Sequence, residues 1–171
     1  MKYTDTHRVI SQYTDADGVL RPAALLRYMQ EAAANAMIAD GPSYDELAER
    51  GLIFVISKIT MSIYADIHAN DTIEVETWAT ESTRASFNRA YRVLRDGMVV
   101  SEAASVWALL DTSRRRLVRV GEVELGYRED EAADIEVPAK LHLPEEMNLL
   151  GEHRVSYSDI DRNHHMNNTN Y

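Results

Sequence analysis

"SFNRAYRVLRDGMVVSEAASVWALL" occupies residues 86–110, and the Asp96-Gly97 pair at its centre decides the fold class. Such a pair between two apolar runs is the strongest short-range signal of a β-hairpin, because both turn residues must take positive φ. A hairpin makes its strands antiparallel. The second arm is apolar on both faces from Ala103 to Leu110, which predicts a strand with neighbours on either side. Working outward, "TIEVETWAT" (72–80) sets Ile73 and Val75 against Glu74 and Glu76. Before it, Ile53, Val55, Ile59, Met61 and Ile63 alternate with polar residues; after the hairpin, "RRRLVRV" (114–120) reads as a further strand. At the start of the chain "HRVISQY" (7–13) reads as one more, followed by the Asp- and Gly-rich turn "TDADG".

A sheet with one apolar face has to bury it against something. The chain offers one long helix. Leu25, Met29, Ala32, Ala33 and Ala36 recur at helical spacing, and Pro22 suits the first turn. Asp40-Gly41-Pro42 is a stop signal, with Gly41 able to take positive φ and Pro42 unable to continue the helix. The run of alanines makes this helix slim enough for another surface to approach closely. Ser43 and Glu46 have the spacing of a capping box for a short second helix ending at Gly51. The fold class is therefore α+β: an antiparallel sheet wrapped around one long central helix.

Composition excludes several classes. Eighteen basic and twenty-eight acidic residues give a net charge of −10, a poor basis for general nucleic-acid binding, which rests on clustered cations. There is no run of eighteen uncharged apolar residues and no apolar leader at the N-terminus, so neither a membrane span nor a signal peptide is expected. Zero cysteines exclude a disulfide scaffold, a thiolate metal site and a cysteine nucleophile within these residues. A cytoplasmic protein is expected. The exception to the acidic balance is "TSRRRLVR" (112–119), which reads either as a solvated strand end or as a docking patch for an acidic partner.

The last residues read "YSDIDRNHHMNNTNY" (157–171). Laid over "YTDADGVLRPAALLR" (13–27) at an offset of 144, Tyr13 falls on Tyr157, Asp15 on Asp159 and Asp17 on Asp161, while "HRV" recurs at 7–9 and 153–155 with a two-residue slip. Both copies stand at a strand-to-helix junction, as a duplicated domain would give. The first copy is apolar where the second carries Asn163, His165, Asn167 and Asn168. The tail thus reads as the start of a second, more polar domain, and the chain is expected to continue beyond it.

Three stretches carry a family resemblance. "SDIDRNHHMNN" (158–168) resembles a motif of the acyl-ACP thioesterases of plants and bacteria; "ASVWALLDTSRRRLVRV" (104–120) and "TIEVETWATESTRASFNRAY" (72–91) are similar to further family stretches in the same order. The resemblance implies a tandem hot-dog protein: a first hot-dog domain at 1–125, a linker at 126–150, and at 151–171 the beginning of a second hot-dog repeat. It implies hydrolysis of fatty acyl-[acyl carrier protein] thioesters, releasing free fatty acid and ending chain elongation, with acyl carrier protein as partner. Asp161, Asn163 and His165 fall on the family's catalytic group, which also draws on a later carboxylate. Arg114, Arg115 and Arg116 are the candidates for docking the acidic carrier. A homodimer is one assembly open to it; neither nucleic acid nor membrane is implied.

The chemistry needs no cofactor. The leaving thiolate has a conjugate acid of pKa ~8.5, so departure is easy. An imidazole or carboxylate can activate water. Amide donors and free N–H groups at a helix start can hold the oxyanion, each worth roughly 3–4 kcal/mol in the transition state. In this reading His165 and a carboxylate activate water, Asn163 orients substrate or base, and Asp161 positions the loop. Blander roles stand beside these. Asp159 and Asp161 suit turn stabilisation, Asn167 and Asn168 suit helix capping, and Trp78 and Trp107 suit the core. His164-His165 makes a poor metal pair, since adjacent side chains diverge and no third ligand is evident. The rival functions are a single-domain hot-dog acyl-CoA thioesterase and a non-catalytic acyl-binding module.

Overall fold

The computed structural model describes residues 2–126, 135, 139–140, 142–161 and 165–170. The chain divides into two compact units, Met1–Pro138 and Ala139–Tyr171. In the first, β1 (Tyr3–Arg8) leads to α1 (Pro22–Asp40), α2 (Tyr44–Glu49), β2 (Leu52–Ile63), β3 (Thr72–Thr80), β4 (Phe87–Arg95), β5 (Met98–Asp111) and β6 (Arg116–Val118). The strands form one sheet in the order β1-β3-β4-β5-β2, with β6 also beside β5, and all pairs are antiparallel. The Asp96-Gly97 turn has φ of 53° and 75° and joins β4 to β5 as expected. The strand apolar on both faces, β5, is interior to the sheet, paired with β4 and β2.

The sheet packs on α1. Ala24, Leu25, Tyr28, Met29, Ala32, Ala33, Ala36 and Met37 form its buried stripe, which includes every position chosen from the periodicity. Of these, Ala24, Leu25, Tyr28, Met29, Ala32 and Ala33 meet Ile73 and Val75 of β3, Tyr91 and Val93 of β4, and Val100 and Ala103 of β5 in one core cluster. A second cluster gathers Met37, Leu47, Leu52, Phe87, Leu109, Val118 and Leu125. The capping box is present: Ser43 Oγ accepts from the Glu46 N–H at 3.2 Å, and the Glu46 carboxylate accepts from the Ser43 N–H at 2.7 Å.

Four expectations shift. The first strand covers residues 3–8, not 7–13: Tyr3 pairs with Thr77 and Arg8 with Thr72, while Ser11–Tyr13 closes a 3-10 turn. Gly41 ends α1 in extended backbone, φ −156°, so positive φ is not why it is glycine. A Cβ there would strike the Leu125 carbonyl oxygen, and close approach of backbone is the reason. In β2 the alternation changes parity. The register steps from Ile56 opposite Trp107 to Lys58 opposite Val106, leaving Ser57 as a bulge. Leu52 and Phe54 therefore face the core before the bulge and Ile59 and Met61 after it, while Val55 is exposed. The last strand is only three residues long, Arg116–Val118, and Arg115, at φ 50°, belongs to the turn before it.

Candidate functional site

In the second unit a 3-10 turn (Tyr157–Asp159) is followed by a loop and a second 3-10 turn (Asn168–Asn170). Asp159 builds the first turn. Its Oδ2 accepts from the Ser156 N–H at 2.8 Å, the Ser156 hydroxyl at 2.9 Å and His153 Nε2 at 3.0 Å. The Ser156 N–H above all, with His153 and the Ser156 hydroxyl, holds this carboxyl below the usual aspartate range. The role is structural, as the turn reading expected.

Asp161 closes the next loop. Its N–H donates to the His165 carbonyl at 2.9 Å, and its Oδ1 accepts from the His165 N–H at 3.4 Å. Asp161 is half-buried and His165 is exposed. The main chain thus brings two of the three candidate residues to the two ends of one loop. Asn163, the third, and His164 lie outside the described residues. Asn167 is a cap: its Oδ1 accepts from the N–H and the hydroxyl of Thr169, each at 2.9 Å, and its own N–H donates to the Asp159 carbonyl at 2.8 Å.

The same hydrogen bonds occur in the first unit. Tyr13 N–H donates to Ile10, Thr14 to Ser11 and Asp15 to the Val19 carbonyl, matching Asp159 to Ser156, Ile160 to Tyr157 and Asp161 to His165. The bridge between Thr14 and Leu20 matches that between Ile160 and Met166. Asp15 Oδ1 accepts from the Val19 N–H at 2.9 Å, as Asp161 Oδ1 does from His165. Each pair is offset by 146, not the 144 read from the tyrosines, and at 146 the two "HRV" copies align without a slip. Tyr13 and Tyr157 are not equivalent: Tyr13 packs edge-on against Tyr28 at 5.7 Å, whereas Tyr157 is 94% exposed. In the corrected register Asp15 matches Asp161, Val19 matches His165, and Pro22, the first residue of α1, matches Asn168. The repeated "HRV" was the signal that carried the right offset.

The arginine cluster lies at the β5–β6 turn. Arg114 pairs with Asp111 at 3.5 Å and Arg116 with Glu122 at 2.8 Å. Arg115 is exposed in the left-handed turn position. The adjacent chain is tied down by the Val120 N–H, which donates to the Arg84 carbonyl at 3.2 Å.

A cavity of about 30 Å³ opens between α1 and the sheet. Ala33 and Met37 of α1, Phe54, Phe87 and Trp107 line it, together with Arg89, which the sequence reading passed over. The three aromatic rings meet edge to face, Phe54 lying 5.3 Å from Phe87 and 6.5 Å from Trp107. Trp107 donates to Ser105 Oγ at 2.7 Å, and that oxygen lies 3.4 Å from the Tyr91 hydroxyl. Burial pushes the Tyr91 phenol up, while the Arg89 charge and the hydrogen bonds with Ser105 and Trp107 draw it partly back. Trp78 is buried, as expected of a core aromatic, with Lys2 and Arg92 over its ring. Trp107 is half-buried and lines the cavity, a mixed outcome for the same expectation.

Residues 1–125 match the family model for the acyl-ACP thioesterase N-terminal domain. Among named proteins, the acyl-[acyl-carrier-protein] hydrolase FATB3, chloroplastic, of Cuphea viscosissima is 30% identical over 90% of this chain and 42% of its own length. The oleoyl-acyl carrier protein thioesterase 2, chloroplastic, of Arabidopsis thaliana is 28% identical over 84% of this chain and 44% of its own. The chain thus spans under half the length of these relatives. A crystal structure of an acyl-ACP thioesterase from Bacteroides thetaiotaomicron superimposes with a TM-score of 0.89 at 23% identity, covering 99% of this chain and 70% of that one. That likeness shows the fold, a curled antiparallel hot-dog sheet on its helix. Among the described residues no helix is long and apolar enough to cross a membrane.

Proposed function

The chain belongs to the acyl-ACP thioesterase family, and from that premise we propose that it forms part of an enzyme hydrolysing fatty acyl-[acyl carrier protein] thioesters to free fatty acids. In this proposal 1–125 is a first hot-dog domain, 126–150 a linker, and 151–171 the start of a second repeat that bears the chemistry. One observation carries the reading. The loop closed by Asp161 repeats the hydrogen bonds of the loop closed by Asp15, but presents an imidazole at 165 where the first copy has Val19. A loop geometry already present in the first unit is reused to hold a proton-accepting ring. His165 activates water with a carboxylate, Asn163 orients the substrate or the base, and Asp161 positions the loop. The developing oxyanion is held by amide donors near the 3-10 turn that begins at Asn168.

The test uses a protein of the relatives' full length. His165→Ala should lower kcat/KM on a palmitoyl- or lauroyl-carrier protein by at least about a hundredfold; turnover near the native rate would remove His165 from the mechanism. A substrate comparison separates this reading from an acyl-CoA thioesterase, which would hydrolyse the CoA thioester as readily as the carrier-linked one.

Docking of the carrier at Arg114, Arg115 and Arg116 belongs to the same proposal. Because Arg114 and Arg116 each engage an acid, Arg115 is the side chain best able to reach outward. Arg115→Glu should raise KM for the carrier-linked substrate and flatten its dependence on salt, with kcat little changed. An unchanged KM would put docking elsewhere.

A further inference from the structure

The two loops are closed by the same main-chain bonds but anchored by different side chains. At the offset of 146, Ile10 and Tyr13 stand where the second unit has Ser156 and Asp159. The Tyr13 carbonyl accepts the Arg21 N–H at 3.0 Å, and the Asp159 carbonyl accepts the matching Asn167 N–H at 2.8 Å. The side chains then differ. The Tyr13 ring packs edge-on against Tyr28 of α1. The Asp159 carboxylate instead accepts from the N–H and hydroxyl of Ser156 and from Nε2 of His153. Asn170, where the first unit has Ala24, donates its side-chain amide to the Asp159 carbonyl at 3.2 Å. One residue thereby ties the chain entering the loop, 153–156, to the chain leaving it, 167–170. Turn formation alone does not call for this set, since the first loop closes with an isoleucine and a tyrosine at the two positions. What differs is the side chain each loop presents: Val19 in the first, the His165 imidazole in the second.

We propose that Asp159, with Ser156 and His153, is a positioning residue for the hydrolysis: its bonds fix both ends of the Asp161–His165 loop and so set where the His165 ring is presented. The inference rests on the proposed role of His165. The physical reason lies in the kind of anchor. Apolar packing is non-directional and lets a loop shift slightly at little cost. Hydrogen bonds to a carboxylate are directional and about twice as strong as neutral ones. A valine needs no fixed orientation, whereas a misplacement of about 1 Å in a reacting group can cost about a hundredfold in rate. Within the set the shares are unequal. Ser156 supplies two donors from an adjacent stretch of chain. The His153 side chain is 64% exposed, and water competes with so open a pair. Asp159 and Ser156 therefore carry most of the effect and His153 less.

Two measurements on Asp159→Ala test this. In the 171-residue chain, amide hydrogen exchange followed by NMR reads the Asp161 N–H, which is bonded to the His165 carbonyl. Its exchange should quicken at least about tenfold. The Asp15 N–H, bonded to the Val19 carbonyl, is the control in the same sample and should not change. In a protein of the relatives' full length, kcat should fall at least about tenfold, with KM within about twofold of native and the melting temperature little moved. Asp159→Asn, which keeps an oxygen for the Ser156 donors, should recover part of the loss. Asp159→Tyr, which installs the first unit's residue, should not, and His153→Ala should lower kcat less than Asp159→Ala does. Melting curves establish that each variant is folded; should Asp159→Ala not be, Asp159→Asn against Asp159→Tyr decides by the same readouts. The proposal is overturned if exchange at Asp161 is unchanged, or if kcat survives while that exchange quickens. A native full-length protein without thioesterase activity would remove the proposed function and this role with it. An active enzyme indifferent to Asp159→Ala would remove this role alone.

Discussion

Gly41 and Asp71 show how single residues join distant parts of the chain. At Gly41 the backbone is extended and any residue could adopt it, but the Leu125 carbonyl occupies the space a Cβ would need. Gly41→Ala should therefore cost about 1–3 kcal/mol, the usual range for overpacking, measured by urea denaturation; a loss near zero would mean that the 121–126 segment moves aside freely. Asp71 clasps the β2–β3 connection to the end of β4. Its Oδ2 accepts from the His68 N–H at 2.8 Å and from Arg95 at 2.9 Å. Partial burial raises its pKa, but the His68 N–H and the Arg95 charge outweigh that and hold it below the ordinary value. A carboxyl depressed in the folded state stabilises at pH above its unfolded value, about 3.9, and that contribution is lost as pH falls through the lower folded value. Asp71→Asn should thus destabilise the chain at neutral pH, and the gap to the native chain should close on acidification below about pH 4. A gap independent of pH would rule out the ion pair as its source. Neither role was legible in the sequence, since Leu125 lies 84 residues from Gly41 and Arg95 lies 24 from Asp71, and such separations leave no periodic trace.

At the scale of elements, what could be read was what repeats. The Asp96-Gly97 turn, the buried stripe of α1 and the Ser43–Glu46 box all appear where the pattern put them, because each is set by residues within about one or two turns of each other. β2 was misread in phase, since one inserted residue reverses every later side chain. Ser57 is that residue. Its side chain is exposed, so Ser57→Ala should change stability by less than about 0.5 kcal/mol. Deleting Ser57 should turn either Leu52 and Phe54 or Ile59 and Met61 outward. Each large apolar residue so exposed costs about 1.5–3 kcal/mol. The deletion variant is expected to be unfolded or aggregated by circular dichroism and size-exclusion chromatography. A soluble deletion variant with native melting would show that the bulge can migrate along the strand.

For the whole molecule the two loops related by an offset of 146 are the informative pair. The first loop can be read as a control for the second: Asp15 closes its loop beside Val19, with no ring to orient, so loop closure alone accounts for an aspartate there. The same duty is available to Asp161, as the turn reading of the sequence allowed, but a family motif does not distinguish a group that reacts from one that holds another in place. The two roles separate by substitution in a full-length protein. An asparagine at 161 keeps an oxygen able to accept the His165 N–H; an alanine does not. If Asp161 is a positioning residue, Asp161→Asn should keep kcat/KM at least about tenfold above Asp161→Ala, the worth of one good hydrogen bond, and its pH profile should stay native. If both variants fall equally far, the carboxylate charge itself takes part in turnover and loop closure is secondary. Asp15→Ala supplies the baseline: losing acceptors for the Asp17 and Val19 N–H groups should cost about 0.5–1.5 kcal/mol of stability, read by urea denaturation, with catalysis unaffected beyond the loss of folded protein.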